Sequence, residues 1–219
     1  MRVVIAGGHG QIAMRLEKLL TQRGDSAVGL IRNPAQAEDL RAVGADPAVC
    51  DLESVSVDEL ASHLDGADAV VFAAGAGPGS GAARKETVDR NAAVLCADAA
   101  ERVGIRRYLM ISAMGAGQEP PPGADPVFAA YLRAKGAADA DLASRAALDW
   151  TILRPGRLTD EPGTGRVRLA VHTGRGMVPR DDVAAVLLTL LDTRAAGMTL
   201  ELVSGDTPVD EAVRAIVSA

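Results

Sequence analysis

The sequence predicts an α/β fold, a doubly wound parallel sheet with a small C-terminal substrate-facing region. Three observations lead there. Short apolar runs alternate with amphipathic stretches from the first residues onward, the mark of strand–helix repetition. The runs are apolar throughout rather than at every second position, as strands covered by helices on both faces require. The first run, Val3-Val4-Ile5-Ala6, passes straight into Gly7-Gly8-His9-Gly10, and a helical pattern begins at once.

The elements follow in order. Arg2–Ala6 reads as a strand, and Gln11–Gln22 as a helix whose stripe is Ile12, Leu16, Leu19 and Leu20. Gly24 closes that helix. Ser26–Ile31 is a second strand, 34–43 a second helix and 47–50 a short third strand. A helix over 55–64 and a uniformly apolar strand over 69–73 come next, then a glycine-rich loop over 75–81. One long helix is predicted over 84–103, a strand at Arg107–Ile111, and a proline-rich loop over 118–126. A helix within 126–147, a strand at 150–153, a helix at 181–191 and a strand at 199–203 complete the pattern. The chain, 1–219, reads as one domain, with residues 154–180 as substrate-side loops.

Composition narrows the function. The chain is 48% hydrophobic and 24% charged, as globular proteins are, and only 2% aromatic, so Val, Leu, Ile and Ala must build the core. A net charge of −6 argues against nucleic acid or an anionic membrane as a partner. Cys50 and Cys96 lie far apart with no second ligand at metal spacing, so both read as buried thiols, and no metal site is expected. With neither a signal-peptide pattern nor a membrane-length apolar run, the expectation is a soluble cytoplasmic protein, monomer or homodimer, acting on a small molecule.

Gly7, Gly10 and Ala13 fit G-x-x-G-x-x-[GA], a variant of the dinucleotide-binding turn. Gly7 permits the sharp exit from the strand, Gly10 lets backbone approach a pyrophosphate, and Ala13 keeps the helix close to the sheet. Gly8, His9, Gln11 and Ile12 complete the expected phosphate-binding stretch, where the helix N-terminus offers free N–H groups. A plain strand–helix turn would use the same glycines. The second strand ends in Arg32-Asn33 with no carboxylate, and a guanidinium there suits the 2′-phosphate of NADP better than the bare ribose of NAD. Asp51-Leu52 follow the third strand, where a carboxylate can accept from an adenine amino group. Ala73-Ala74-Gly75 follow the fourth, where small residues leave room for a cofactor.

Chemistry is suggested by Tyr131-Leu132-Arg133-Ala134-Lys135. The chain has two tyrosines and three lysines, yet one of each stands at i and i+4, on one face of a helix. An ammonium so placed is expected to lower the phenol's pKa toward neutrality. Ser112 follows the fifth strand at a carboxyl end, where ligands bind in such sheets, and its hydroxyl can polarise a carbonyl.

These residues together resemble the short-chain dehydrogenase/reductases, specifically their atypical NAD(P)H-binding branch. The likeness rests on residues 7–13, Asp51-Leu52, Phe72-Ala73-Ala74-Gly75, Ser112 and Tyr131-x-x-x-Lys135, and extends to Leu153-Arg154-Pro155-Gly156 and Glu161-Pro162-Gly163-Thr164-Gly165. It implies a Rossmann fold, NAD(P) and hydride transfer. Tyr131 would be the acid/base, Lys135 its tuner and ribose anchor, and Ser112 the carbonyl-binding donor. Pro155 and Gly156 would line the nicotinamide end. A further active-site Asn, common in typical members, has no clear counterpart: Asp89 stands nearest and Asn91 is two positions on.

The expectation is therefore an NADP-dependent reductase of a small carbonyl or similar electrophile, with a non-catalytic sensor of the cofactor's redox state as the alternative. Arg157, Arg166, Arg168 and His172 would favour an acidic substrate if they face it.

Overall fold

Among the described residues, seven strands run parallel through the middle of the molecule. In the computed structural model, which describes residues 1–77, 79–120, 123–193 and 195–218, the first of them are β1 (Arg2–Ala6), β2 (Ser26–Ile31) and β3 (Asp46–Val49). With β4 (Ala69–Phe72), β5 (Arg107–Ile111), β6 (Asp149–Pro155) and β10 (Met198–Ser204), they lie in the order β3-β2-β1-β4-β5-β6-β10. Short strands β8 (Arg166–Ala170) and β11 (Thr207–Pro208) extend the sheet antiparallel, while β7 (Arg157–Thr159) pairs with β9 (Met177–Pro179) as a separate ribbon. The chain reverses direction across the sheet between β1 and β4, which opens a crevice at their carboxyl ends.

The uniform apolarity of the strands has its cause in two cores. Val3 and Ile5 face one, shared with α1 (Gln11–Gln22), α7 (Arg180–Leu191) and α8 (Val209–Val217). Val4 and Ala6 face the other, shared with α3 (Val57–Leu64), α5 (Ala92–Arg102) and α6 (Pro126–Ala143). Leu16 and Phe72, one in each, are fully buried, and truncating either to Ala costs about 2–5 kcal/mol. The small residues of α5, Ala92, Ala93, Ala97 and Ala99 among them, replace bulk with close approach. Ser56 caps α3 by accepting from the Glu59 amide, and Asp125 caps α6 through the Phe128 amide with Pro126 at the first turn.

The structure departs from the sequence expectation in several places. The helix expected over 34–43 is a 3-10 turn, Pro34–Gln36, followed by α2 (Ala37–Ala42), because Asn33 caps the turn at Pro34. The long helix expected over 84–103 is broken into α4 (Ala82–Arg84), a π-helical run at Lys85–Asn91, and α5. The wider π turn brings Lys85, Val88 and Asp89 inward together. Residues 154–180 are more than loops, since β7, β8 and β9 fall there. In β8, Val167 and Leu169 are buried while Arg166 and Arg168 face water, the alternation of a half-covered antiparallel strand. The stripe of α8, Val209, Ala212 and Val213, is a helix signal beyond the elements expected. Pro78 of the 75–81 loop and Pro121 and Pro122 of the 118–126 loop lie outside the described residues.

No helix among the described residues is long and apolar enough to cross a membrane.

Candidate active site

Backbone proximity fixes the floor of the crevice. Gly7 leaves β1 at φ +82°, and a Cβ there would stand 2.7 Å from Cα of Ala74, beyond β4. Only glycine fits both the angle and the approach. Gly10 is the N-cap of α1, extended at φ −67° and ψ 148°, with no side chain capping the helix and no acid in its first turn. The first N–H groups of α1 therefore open onto the crevice with their partial positive charge uncompensated, as a pyrophosphate would need. The residues present fit a dinucleotide on this ground.

Not every residue of the stretch serves that end. Gly8 lines neither of the cavities described below; its amide donates to the Leu30 carbonyl at 2.9 Å. A Cβ on it would stand 2.6 Å from Cα of Gly29, so this glycine packs α1 onto β2 rather than meeting a ligand. His9 does line the crevice, though its Nε2 stands 2.8 Å from Asp39 Oδ2. Gln11 and Ile12 line it as well.

A smaller cavity, about 280 Å³, lies on the β2–β3 side of the turn, with Arg32, Asp51 and Leu52 in its walls. Arg32 is exposed, and its Nη1 reaches Glu53 Oε2 at a long 3.4 Å. Glu53 is held more closely by Arg84, and by Thr87 at 2.7 Å, and the Arg84 hydrogen bond leads in keeping its carboxyl below the usual range. Arg84 lines this cavity without any motif in the sequence to mark it, since it merely abuts a glycine-rich loop. Asn33, expected at the cofactor, lines neither cavity and spends its side chain on the Ala35 amide. Asp51 Oδ1 accepts from the Glu53 amide at 3.1 Å.

The larger cavity, about 1440 Å³, runs from His9 and Gly10 past Ala73, Ala74 and Gly75 to Ser112, Tyr131 and Lys135. Three elements converge there. Ser112 follows β5 and is pinned by its amide to the Leu153 carbonyl at 2.8 Å. Its hydroxyl donates to Asp139 Oδ2 at 2.8 Å, and Arg154 Nε donates to the same oxygen at 2.8 Å. The proton expected to reach a substrate carbonyl is thus held by Asp139 instead. Asp139 continues the helical spacing of Tyr131 and Lys135 by four more residues, the signal that was available for it.

Lys135 is buried, and its Nζ donates to the Ile111 carbonyl at 3.1 Å, with Ala74 O and Asp89 Oδ1 each at 3.5 Å. Burial lowers its pKa, against the pull of Asp89 and Asp139. The expected acidification of Tyr131 is not what the geometry delivers. Burial, then Asp89 and Asp139, push the phenol well above its ordinary value, so it stays protonated. Lys85 from the π turn stands over the Tyr131 ring, 5.3 Å from its centroid, and donates to the Gly77 carbonyl at 2.9 Å. Of the two candidates left open, Asp89 is buried beside Lys135, whereas Asn91 is exposed.

Pro155 and Gly156 line the cavity beyond Tyr131, followed by Arg157, His172, Arg175 and Glu201. Arg166 and Arg168 do not line it, and Arg166 binds the Asp206 carbonyl. The Glu161–Gly165 stretch also lies away from it. Asp181 and Asp182, at the start of α7, accept from the amides of Gly163, Thr164 and Gly165 at 2.8–3.1 Å. A Cβ on Gly163 would stand 2.8 Å from Cβ of Asp181, so this motif fastens a loop to a helix.

Residues 7–194 match the NAD(P)H-binding family. A Bacillus subtilis protein bearing the name uncharacterized sugar epimerase YhfK is 36% identical, the alignment covering 98% of this chain and 99% of that one. A solved Bacillus halodurans structure, provisionally described as an NAD-dependent epimerase/dehydratase, superposes with a TM-score of 0.90 at 36% identity over 98% and 99% of the two chains. The oxidoreductase ylbE of Lactococcus lactis superposes with a TM-score of 0.88 at 26% identity over 100% and 98%.

Proposed function

The chain belongs to the NAD(P)H-binding family, and from that premise we propose that it is an NADPH-dependent reductase of a small carbonyl compound or similar electrophile. The observation that carries this reading is the continuity of the larger cavity from the open N-terminus of α1 to Tyr131 and Lys135. A dinucleotide with its pyrophosphate on Gly10–Ile12 would extend its nicotinamide toward Pro155 and Gly156, within the same space. Arg32 supports the phosphorylated cofactor, because a 2′-phosphate offers it a closer partner than Glu53 at 3.4 Å. The oxidoreductase name of the Lactococcus relative agrees in direction.

When bound, the dinucleotide supplies the hydride. This chain's residues supply the rest. Lys135, fixed by the Ile111 carbonyl, can trade its two long contacts at Ala74 and Asp89 for a ribose hydroxyl. Tyr131, held protonated by burial and two carboxylates, donates its proton to the alkoxide oxygen that forms as the carbonyl is reduced. Ser112, its proton engaged by Asp139, shapes the seat of the carbonyl more than it polarises it.

The same electrostatics weigh between reduction and the epimerase chemistry in some relatives' names. Oxidation of an alcohol starts from Tyr131 as phenolate and reduction from the phenol; burial, then Asp89 and Asp139, hold the phenol form. NADPH consumption at 340 nm over a panel of aldehydes, ketones and quinones tests the proposal. Turnover that Tyr131→Phe abolishes supports it. An inert chain with NADPH bound points to the cofactor sensor instead.

A further inference from the structure

We propose that the substrate carries an anionic group, a carboxylate or a phosphate, which Arg157 and Arg175 receive at the far end of the larger cavity. The inference rests on the reductase reading above, because it assigns the part of that cavity the cofactor would leave open.

A backbone contact places the two arginines on neighbouring segments. The Arg157 amide donates to the Gly176 carbonyl at 2.9 Å, which ties the start of β7 to the segment carrying Arg175. Glycines permit the seam. A Cβ on Gly156 would stand 2.4 Å from the Gly176 carbonyl oxygen, and one on Gly176 would stand 2.8 Å from Val203. Gly174, at φ +79°, turns the chain just before Arg175.

Both arginines line the cavity, and among the described residues neither makes an ion pair. The nearby carboxylates are committed elsewhere. Glu201, buried at 5% exposure, accepts from the Thr173 amide at 2.8 Å and faces His172 Nδ1 at 3.1 Å. Asp160 takes Arg180 at 2.7 Å, and Asp125 caps α6. Glu119, also in the cavity wall, is exposed. Each of these exposed guanidinium groups carries a planar set of donors suited to a carboxylate or a phosphate. That they stand in a chain of net charge −6 makes the local sign the more pointed.

The rest of the wall is apolar. Phe128 is 49% exposed at the cavity and stacks on Tyr131, with ring centroids 6.2 Å apart. Leu158 lines the cavity beside Arg157. The substrate class is therefore a carbonyl compound with an apolar body and an acidic end.

Matched probes test this: 4-carboxybenzaldehyde, 4-formylphenyl phosphate and the uncharged methyl 4-formylbenzoate, presented to the NADPH-loaded protein. Saturation-transfer NMR reads binding whether or not turnover follows, and NADPH oxidation reads turnover. The wild-type protein should bind at least one acid about tenfold more tightly than the ester. Arg157→Gln/Arg175→Gln should remove that preference while its NADPH affinity stays unchanged, and the stronger of the two acids identifies the anion. Equal binding of acids and ester, no binding of either acid, or a preference that survives in the double variant overturns the inference. An acid that binds selectively without being reduced upholds it and removes the reductase reading; acid and ester reduced alike does the reverse.

Discussion

The Ser112 hydroxyl donates a hydrogen bond to Asp139 across 2.8 Å, and Arg154 binds the same carboxylate oxygen. A hydroxyl so engaged contributes little as a donor to a substrate carbonyl. Ser112→Ala is accordingly expected to slow turnover by about tenfold at most, the value of one neutral hydrogen bond. Steady-state kcat checks it. A loss as deep as that of Tyr131→Phe would mean that the hydroxyl leaves Asp139 when substrate binds.

Tyr131→Phe removes the proposed proton donor and should cost about 10²–10⁴ in kcat. Its cofactor affinity should hold, since the phosphate turn is untouched. A fall in kcat below tenfold would take the acid role away from Tyr131.

The pH dependence has a definite sign. With the phenol raised by burial and by Asp89 and Asp139, its protonated form persists through neutrality into alkali. Reduction should stay level over that range, while the reverse oxidation should climb with pH. A reductive rate that falls between pH ~6 and ~8 would contradict an acid whose reference pKa is already about 10.

Arg32 is the residue proposed to favour NADPH. Arg32→Ala should weaken NADPH by about 10–100-fold, as loss of a charge-assisted bond predicts, and leave NADH within about twofold. Calorimetric titration with both cofactors separates the cases. Equal losses for the two would assign Arg32 a structural part only.

Glu17 makes a prediction about stability. Its carboxyl is fully buried on α1, neither oxygen has a partner among the described residues, and burial raises its pKa to about 8. Gly8 and Gly29 leave room for it: a Cβ on the first would stand 2.9 Å from its Oε1, and one on the second 2.5 Å. The folded state thus holds a proton that the unfolded chain releases near pH 4.5. Stability from this group is full below that value and is lost as pH rises through about 8, a change on the order of 3–5 kcal/mol. Glu17→Gln should flatten the melting temperature over pH 5–9 (roughly the window of that titration). An unchanged slope would show that Glu17 is charged when folded.

How much the sequence disclosed depended on whether a residue's role was local. The turn at Gly7 and Gly10 was legible because a backbone approach of 2.7 Å leaves its trace as glycine. Tyr131 and Lys135 stood out because both types are scarce and helical spacing places them on one face. Asp139 did not, being one acid in a helix that also holds Asp141; what distinguishes it is Arg154, brought alongside by β6. The same gap explains the phenol. Spacing pairs it with an ammonium, whereas its surroundings include Asp89, delivered by a π turn that a 3.6-residue period cannot reveal. Gly8 has the look of a phosphate cradle in the sequence, and only its contact with Gly29 gives it another task.

The proposed dinucleotide spans both cavities, with its 2′-phosphate at Arg32 in the smaller and its nicotinamide beside Tyr131 in the larger. A crystal structure of the NADPH complex measures this directly. Phosphate oxygens are expected at the amides of Gly10–Ile12, the 2′-phosphate against Arg32, and the nicotinamide between Gly156 and the Tyr131 hydroxyl. A dinucleotide lying in the reverse direction, or none bound at saturating NADPH, would contradict that placement.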